Sequence, residues 1–243
     1  MKTPVHSPNR RQWMAATLAA SLAPAALAKP AMFTLYTFGD SILDSSRYND
    51  RGLDAGQLIV RNDDALFPEF IGRDLQSRGP ARLAHRAVDG STVDDLPRQL
   101  DGLRPDSHCA ALLTIGGNDL LMGLAADTGN GLRAFEAALR RFVGKLPVGP
   151  LLLGTVYDPT FADDSQNFLG VPARVARRNH ARVNAVIAAA AQRPGDRLVD
   201  LHAHFLRGRP EKPAISPPLP GVCLGAESQR SADAHAARGN AGC

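Results

Sequence analysis

The sequence predicts an α/β fold, a three-layer α/β/α sandwich around a five-stranded parallel sheet of flavodoxin-like order 2-1-3-4-5. Three observations carry this prediction. Short apolar runs alternate with stretches whose apolar residues recur at helical spacing. The connections between them are short, as strand-helix-strand units covered on both faces require. The chain has 243 residues, 44% of them hydrophobic, with no internal repeat and no second domain. That length suits one domain with a large core.

Strands are expected at Met32–Phe38, Ala81–Val88, Cys109–Ile115, Pro150–Val156 and Arg197–Leu201. Each is a short apolar run of the kind that fills the middle of a sheet. Helices are expected at Phe67–Arg78, Thr92–Leu100, Leu132–Leu146 and Ala173–Gln192. In the third, Leu132, Phe135, Leu139, Phe142 and Leu146 fall on one face. In the fourth, Val175, Val183, Val186, Ile187 and Ala190 make the same kind of stripe. Pro68 and Pro172 stand where a first helical turn tolerates proline.

Three segments follow from composition. Residues 1–28 read as an export signal: a basic start, an apolar stretch from Met14 to Ala28, and a small-x-small ending at Ala26-Leu27-Ala28. The paired Arg10 and Arg11 before the apolar stretch resemble a twin-arginine signal. The expectation is therefore an exported protein, periplasmic or secreted, with no stable membrane span once the signal is removed. Lys2, Arg10 and Arg11 precede residue 29 and no acid does, so removal lowers the formal charge from +4 to +1. A near-neutral domain gives no reason to expect nucleic acid as a partner. Residues 29–206 form the folded domain. Residues 207–243 carry five prolines and no amphipathic stripe. They read as irregular, either disordered or displaced by a frameshift. Cys109, Cys223 and Cys243 allow at most one internal bridge, and no spacing suits zinc.

In a parallel sheet, sites form beyond the carboxyl ends of the strands. Gly39-Asp40-Ser41 follows the first strand and Asp89-Gly90-Ser91 the second. Gly116-Gly117-Asn118-Asp119 follows the third, and Asp200, His202 and His204 end or follow the fifth. All these residues therefore share one rim. Taken singly, each also reads as a turn or a helix cap. Taken together they suit acyl transfer, which needs a nucleophile, a base and donors for the developing oxyanion. Ser41 supplies the hydroxyl. Its own N–H, the Gly90 N–H and the Asn118 amide are candidate oxyanion donors.

These blocks resemble the SGNH, or GDSL-type, hydrolase superfamily over about Met32 to Leu206. That family carries Gly-Asp-Ser after the first strand, a glycine after the second and Gly-x-Asn-Asp after the third. The resemblance implies a serine esterase, lipase or acylhydrolase that needs no cofactor and no metal. Its substrate would be a small-molecule, glycan or lipid ester. The family's usual Asp-x-x-His block is missing after residue 190, where Asp200-Leu201-His202-Ala203-His204 stands instead. His204 falls on the same face as Asp200 if a helix starts at once, so His204 or His202 is the expected base, with Asp200 as its orienting partner. The family's closing helix is also not expected from the proline-rich tail. An alternative keeps the fold and drops turnover: a protein that binds acylated sugar or lipid. Two loops are expected to shape the pocket: the long connection holding Arg47–Gly52 and Arg61–Asp64, and Tyr157–Phe161 after the fourth strand.

Overall fold

The computed structural model describes residues 30–191 and 193–207. The expected export segment, the tail from residue 208, Cys223 and Cys243 lie outside the described residues. Five parallel strands make one sheet of order 2-1-3-4-5: β1 (Phe33–Gly39), β2 (Ala81–His85), β3 (Cys109–Thr114), β4 (Leu151–Gly154) and β5 (Arg197–Val199). This is the expected order. β1 lies between β2 and β3, and Gly39 pairs with Thr114.

Alternation along the strands divides the core. Tyr36, Phe38, Ala111, Leu113, Leu151 and Leu153 point to one face and are buried. Against them pack α3 (Asn130–Lys145), through Phe135, Leu139 and Phe142, and α4 (Ala173–Ala190), through Val183 and Ile187. The α3 stripe is the one the periodicity predicts; in α4, Val183, Val186, Ile187 and Ala190 pack as predicted, whereas Val175 does not join the core and its neighbour Ala176 is buried instead. Asp127 caps α3, accepting from the Gly131 and Leu132 amides at 2.8 and 3.1 Å. The other face buries Leu35 with Val60 and Ala81, a smaller cluster.

Local chemistry overrides the sequence reading in several places. Residues 67–78 form two 3-10 turns, Pro68–Phe70 and Gln76–Arg78, in place of one helix. Gly72 between them has φ +72°, and the Asp74 carboxylate takes the Ser77 amide at 2.6 Å. Both interrupt an α-helical ladder. Thr92–Leu100 is helical only as a 3-10 stretch from Leu96. There Pro97 lacks an N–H, and Asp95 engages both the amide and hydroxyl of Thr92.

The long loop before residue 67 contains α1 (Ala55–Val60), which begins on a reciprocal capping box between Asp54 and Gln57. A helix does start at once after β5. α5 (Leu201–Arg207) is capped by Asp200, whose carboxylate accepts from the Ala203 amide at 2.9 Å.

Candidate active site

Gly39 makes the turn into Ser41 possible. Its φ is +118°, and a Cβ there would sit 1.7 Å from the Thr114 carbonyl oxygen. Only glycine fits, because the chain passes directly against β3 as it leaves β1. The Gln99 side chain then holds both backbone groups of Gly39: its oxygen accepts from the Gly39 N–H and its amide donates to the Gly39 carbonyl, each at 2.8 Å. Gln99 is buried, and the sequence offers no motif that marks it.

Asp40 turns inward. Its carboxylate accepts from the Ile42 amide and the Thr114 hydroxyl, each at 3.2 Å. Its carbonyl accepts from the amides of Leu43 and Asp44 at 3.1 and 3.0 Å. The chain thereby coils tightly and leaves Ser41 on the open side, partly exposed. Burial pushes the Asp40 carboxyl up to about 7, opposed by those two hydrogen bonds.

The next two rim loops are tied to each other and to this turn. The Asp89 amide donates to the Asp44 carboxylate at 2.8 Å. Gly90 follows with φ +80°. The Asn118 side-chain amide donates to the Ser91 carbonyl at 2.9 Å, which fixes its plane and leaves a second N–H. Asn118 is the second residue of α2 (Gly117–Leu121). Gly116 precedes it with φ +112°, and a Cβ there would lie 3.1 Å from Val183 Cγ1. The Asp119 carboxylate receives the Val93 amide, and burial raises its pKa to about 6. Asp119 thus anchors the 92–95 loop.

On the β4–β5 side the arrangement differs from the sequence expectation. Asp200 accepts from the Thr155 hydroxyl at 3.2 Å as well as capping α5. The His202 amide donates to the Thr155 hydroxyl at 2.9 Å. His202 Nδ1 is buried without a hydrogen-bond partner. Its ring lies against that of His180, with centroids 4.8 Å apart and planes 60° apart. His204 is exposed on the outer side of α5.

A cavity of about 400 Å³ brings the rim together. Ser41, Gly90 and Asn118 line it, and so does His180 from α4. Asp200, His202 and His204 are not among its lining residues. Tyr48 lines it from the long β1–β2 connection, and Tyr157 and Asp158 line it from the loop after β4. His180 Nε2 sits 2.9 Å from the Val156 carbonyl, so this nitrogen carries the proton of the neutral ring. Desolvation lowers the pKa of His180, and the neighbouring His202 lowers it further.

His180 escapes sequence reading because Arg178-Asn179-His180 lies inside an ordinary amphipathic helix, with no motif around it. Among the described residues, no group of three or more His, Cys, Asp or Glu is placed to hold a metal ion. No helix among them is long and apolar enough to cross a membrane.

The sequence model of the GDSL-like lipase/acylhydrolase family matches residues 37–218. A search of curated proteins finds no match. Among solved structures, a variant of the acetyl-xylooligosaccharide esterase Axe2 from Geobacillus stearothermophilus aligns with a TM-score of 0.50 and 21% identity, over 72% of this chain and 78% of that one. LAE5, an alpha/beta hydrolase from the metagenome of Lake Arreo, Spain, aligns at 0.47 and 23% identity, over 74% and 81%. A variant of the esterase AlinE4 aligns at 0.47 and 20% identity, over 88% and 98%. At these identities the first of these likenesses shows a shared fold.

Proposed function

Because this chain belongs to the GDSL-like lipase/acylhydrolase family and is thus an ester-bond hydrolase, we propose that it works through an acyl-enzyme on Ser41. The observation that carries the proposal is the cavity shared by Ser41, Gly90, Asn118 and His180. The Ser41 hydroxyl attacks the ester carbonyl. The carbonyl oxygen becomes an oxyanion held by the backbone N–H groups of Ser41 and Gly90 and the free amide N–H of Asn118. The tetrahedral intermediate collapses, the alcohol leaves, and water repeats the sequence to release the acid.

The base follows from the same cavity. His180 is neutral near pH 7 because burial depresses its pKa. Its Nε2–H is committed to the Val156 carbonyl, so Nδ1 is the basic nitrogen. Nδ1 takes the Ser41 proton and returns it to the leaving alcohol. His202 packs on the His180 ring, and Asp200 holds the start of α5 in place. In this reading His204 takes no part. The domain spans residues 29–206 and is exported after loss of residues 1–28.

A second reading, binding of acylated sugar or lipid without turnover, draws on one observation: neither histidine expected from the sequence lines the cavity. Hydrolysis of p-nitrophenyl butyrate by the full chain separates the two. Serine catalysis predicts turnover that Ser41→Ala reduces by roughly 10⁴-fold or more. Turnover equal to wild type in Ser41→Ala would overturn the mechanism, and a folded, inactive wild type would favour the binder.

A further inference from the structure

Resting on the acyl-enzyme reading above, we propose that Gln99 is the positioning residue of the oxyanion site. Its one carboxamide sets the spacing between the Ser41 N–H, the Gly90 N–H and the Asn118 amide. Gln99 is 5% exposed and does not line the cavity, so it acts through other residues. Its oxygen accepts from the Gly39 N–H at 2.8 Å, two residues before the Ser41 N–H. Its amide donates to the Gly39 carbonyl at 2.8 Å and to the Ser91 hydroxyl at 3.3 Å. Ser91 directly follows Gly90, and the Ser91 carbonyl accepts from the Asn118 amide at 2.9 Å. One side chain thus joins the loops that leave β1, β2 and β3.

The direction of these bonds selects the side chain. The Gly39 N–H takes an acceptor and the Gly39 carbonyl takes a donor, both from one group. Glutamate offers oxygens only and would set a carboxylate against the carbonyl. Methionine has the length but no donor. Asparagine is one methylene short.

Gln99 is itself anchored through its backbone. It lies in the 3-10 stretch Leu96–Leu100, whose Leu96 is fully buried. Arg86 Nε donates to the Gln99 carbonyl at 3.0 Å, and the Arg86 guanidinium also donates to the Asp101 carbonyl. The Arg86 amide in turn donates to the Thr37 carbonyl on β1 at 2.9 Å. Without the carboxamide, the Gly39 N–H and the Ser91 hydroxyl lose this buried partner, and such groups shift to regain one. A donor displaced by about 1 Å costs roughly 10²-fold in rate. Gln99 lies outside the cavity, so the loss should fall on kcat and not on binding of the ester.

The test compares the full chain with Gln99→Met, Ser91→Ala, Asn118→Ala and the Gln99→Met/Asn118→Ala double variant. It reads kcat and KM for p-nitrophenyl butyrate, the inhibition constant of butylboronic acid, and the urea midpoint. The boronate forms a tetrahedral adduct on a reactive serine and so reports oxyanion geometry. Gln99→Met should lower kcat by roughly 10²-fold, leave KM within about twofold, and weaken the boronate by a similar roughly 10²-fold. In the Asn118→Ala background the same change should cost less than roughly tenfold, because groups that act as a unit are not additive. Ser91→Ala keeps the Gly39 clamp and should lower kcat by roughly threefold to tenfold.

An unchanged kcat in Gln99→Met, or a loss that multiplies in full in the double variant, would overturn the positioning role while leaving serine catalysis standing. So would a rise in KM as large as the fall in kcat. If Gln99→Met does not fold, Ser91→Ala decides: wild-type kcat and boronate affinity there overturn the proposal. A folded wild type that cleaves no ester, with no adduct on Ser41 from a fluorophosphonate, would overturn the acyl-enzyme reading and this inference with it.

Discussion

The two halves of the rim are built differently. On the β1–β2–β3 half, each functional group is fixed by backbone geometry and short hydrogen bonds. Gly39 lies under the Thr114 carbonyl, Gln99 clamps it from both sides, and Asn118 is tied to Ser91. On the β4–β5 half, the two neighbouring rings come from separate elements: His180 from the middle of α4 and His202 from the first turn of α5. The proposed nucleophile and oxyanion groups sit in short sequence blocks that contacts from other strands and loops hold, while the proposed base is set by how two helices pack. On the first half the residue types are written into short blocks, and positioning is completed by Thr114, Gln99 and Ser91. On the second it is a tertiary result.

Breaking the first half at its narrowest point should have the largest effect. Gly39→Ala must move its Cβ away from an oxygen 1.7 Å distant while holding φ near +118°. The expected cost is about 4 kcal/mol or more of stability, read as a fall in the urea midpoint. If the midpoint stays at the wild-type value, the close approach to β3 is not a constraint.

Breaking the second half comes next. His180→Ala should lower kcat by roughly 10²- to 10⁴-fold, with the urea midpoint little changed, whereas His204→Ala should leave kcat within about twofold. The reverse order would move the base to α5. The pH profile sharpens the same point. A lowered pKa keeps His180 neutral further into acid, so the acid limb of kcat/KM should lie below the ordinary histidine value of 6.5. A limb above that value would exclude His180 as the titrating base.

Asn118→Ala follows. It removes one proposed oxyanion donor and the tie to Ser91, and it should cost roughly 10²- to 10³-fold in kcat with a smaller change in KM. A KM effect alone would make Asn118 a substrate-binding group only.

The smallest expected effect concerns Asp40. Its carboxyl holds a proton up to about 7 in the folded protein against an ordinary value of 3.8. Between those values the unfolded chain has already lost the proton, so stability falls as pH rises through that window. Asp40→Asn keeps the oxygen that accepts from Ile42 and Thr114 and has no proton to lose. Its Tm should therefore gain on wild type by a few degrees, about 3 °C, between pH 5 and pH 8. A constant difference across that range would show that Asp40 stays ionised in its burial.

The same division explains what the sequence can reveal. Strand order, most of the stripes of α3 and α4, and the placing of Ser41, Gly90 and Asn118 on one rim are readable because each depends on periodicity or on a glycine that a turn requires. The 67–78 region is misread because side-chain hydrogen bonds from Asp74 and the positive φ of Gly72 compete with an apolar pattern. Asp200 draws notice as an orienting acid, and one oxygen of its carboxylate also accepts from Thr155 and from the first turn of α5, contacts that only the packed fold reveals. Gln99 and His180 carry no signature, because their positions exist only once strands and helices have packed.

The central claim is that Ser41 becomes acylated. Incubation of the full chain with a fluorophosphonate, followed by peptide mass spectrometry, tests it most directly. The account predicts a single phosphonyl adduct on Ser41 and none in Ser41→Ala. An adduct on another residue, or none on a folded wild-type protein that still cleaves esters, would contradict it.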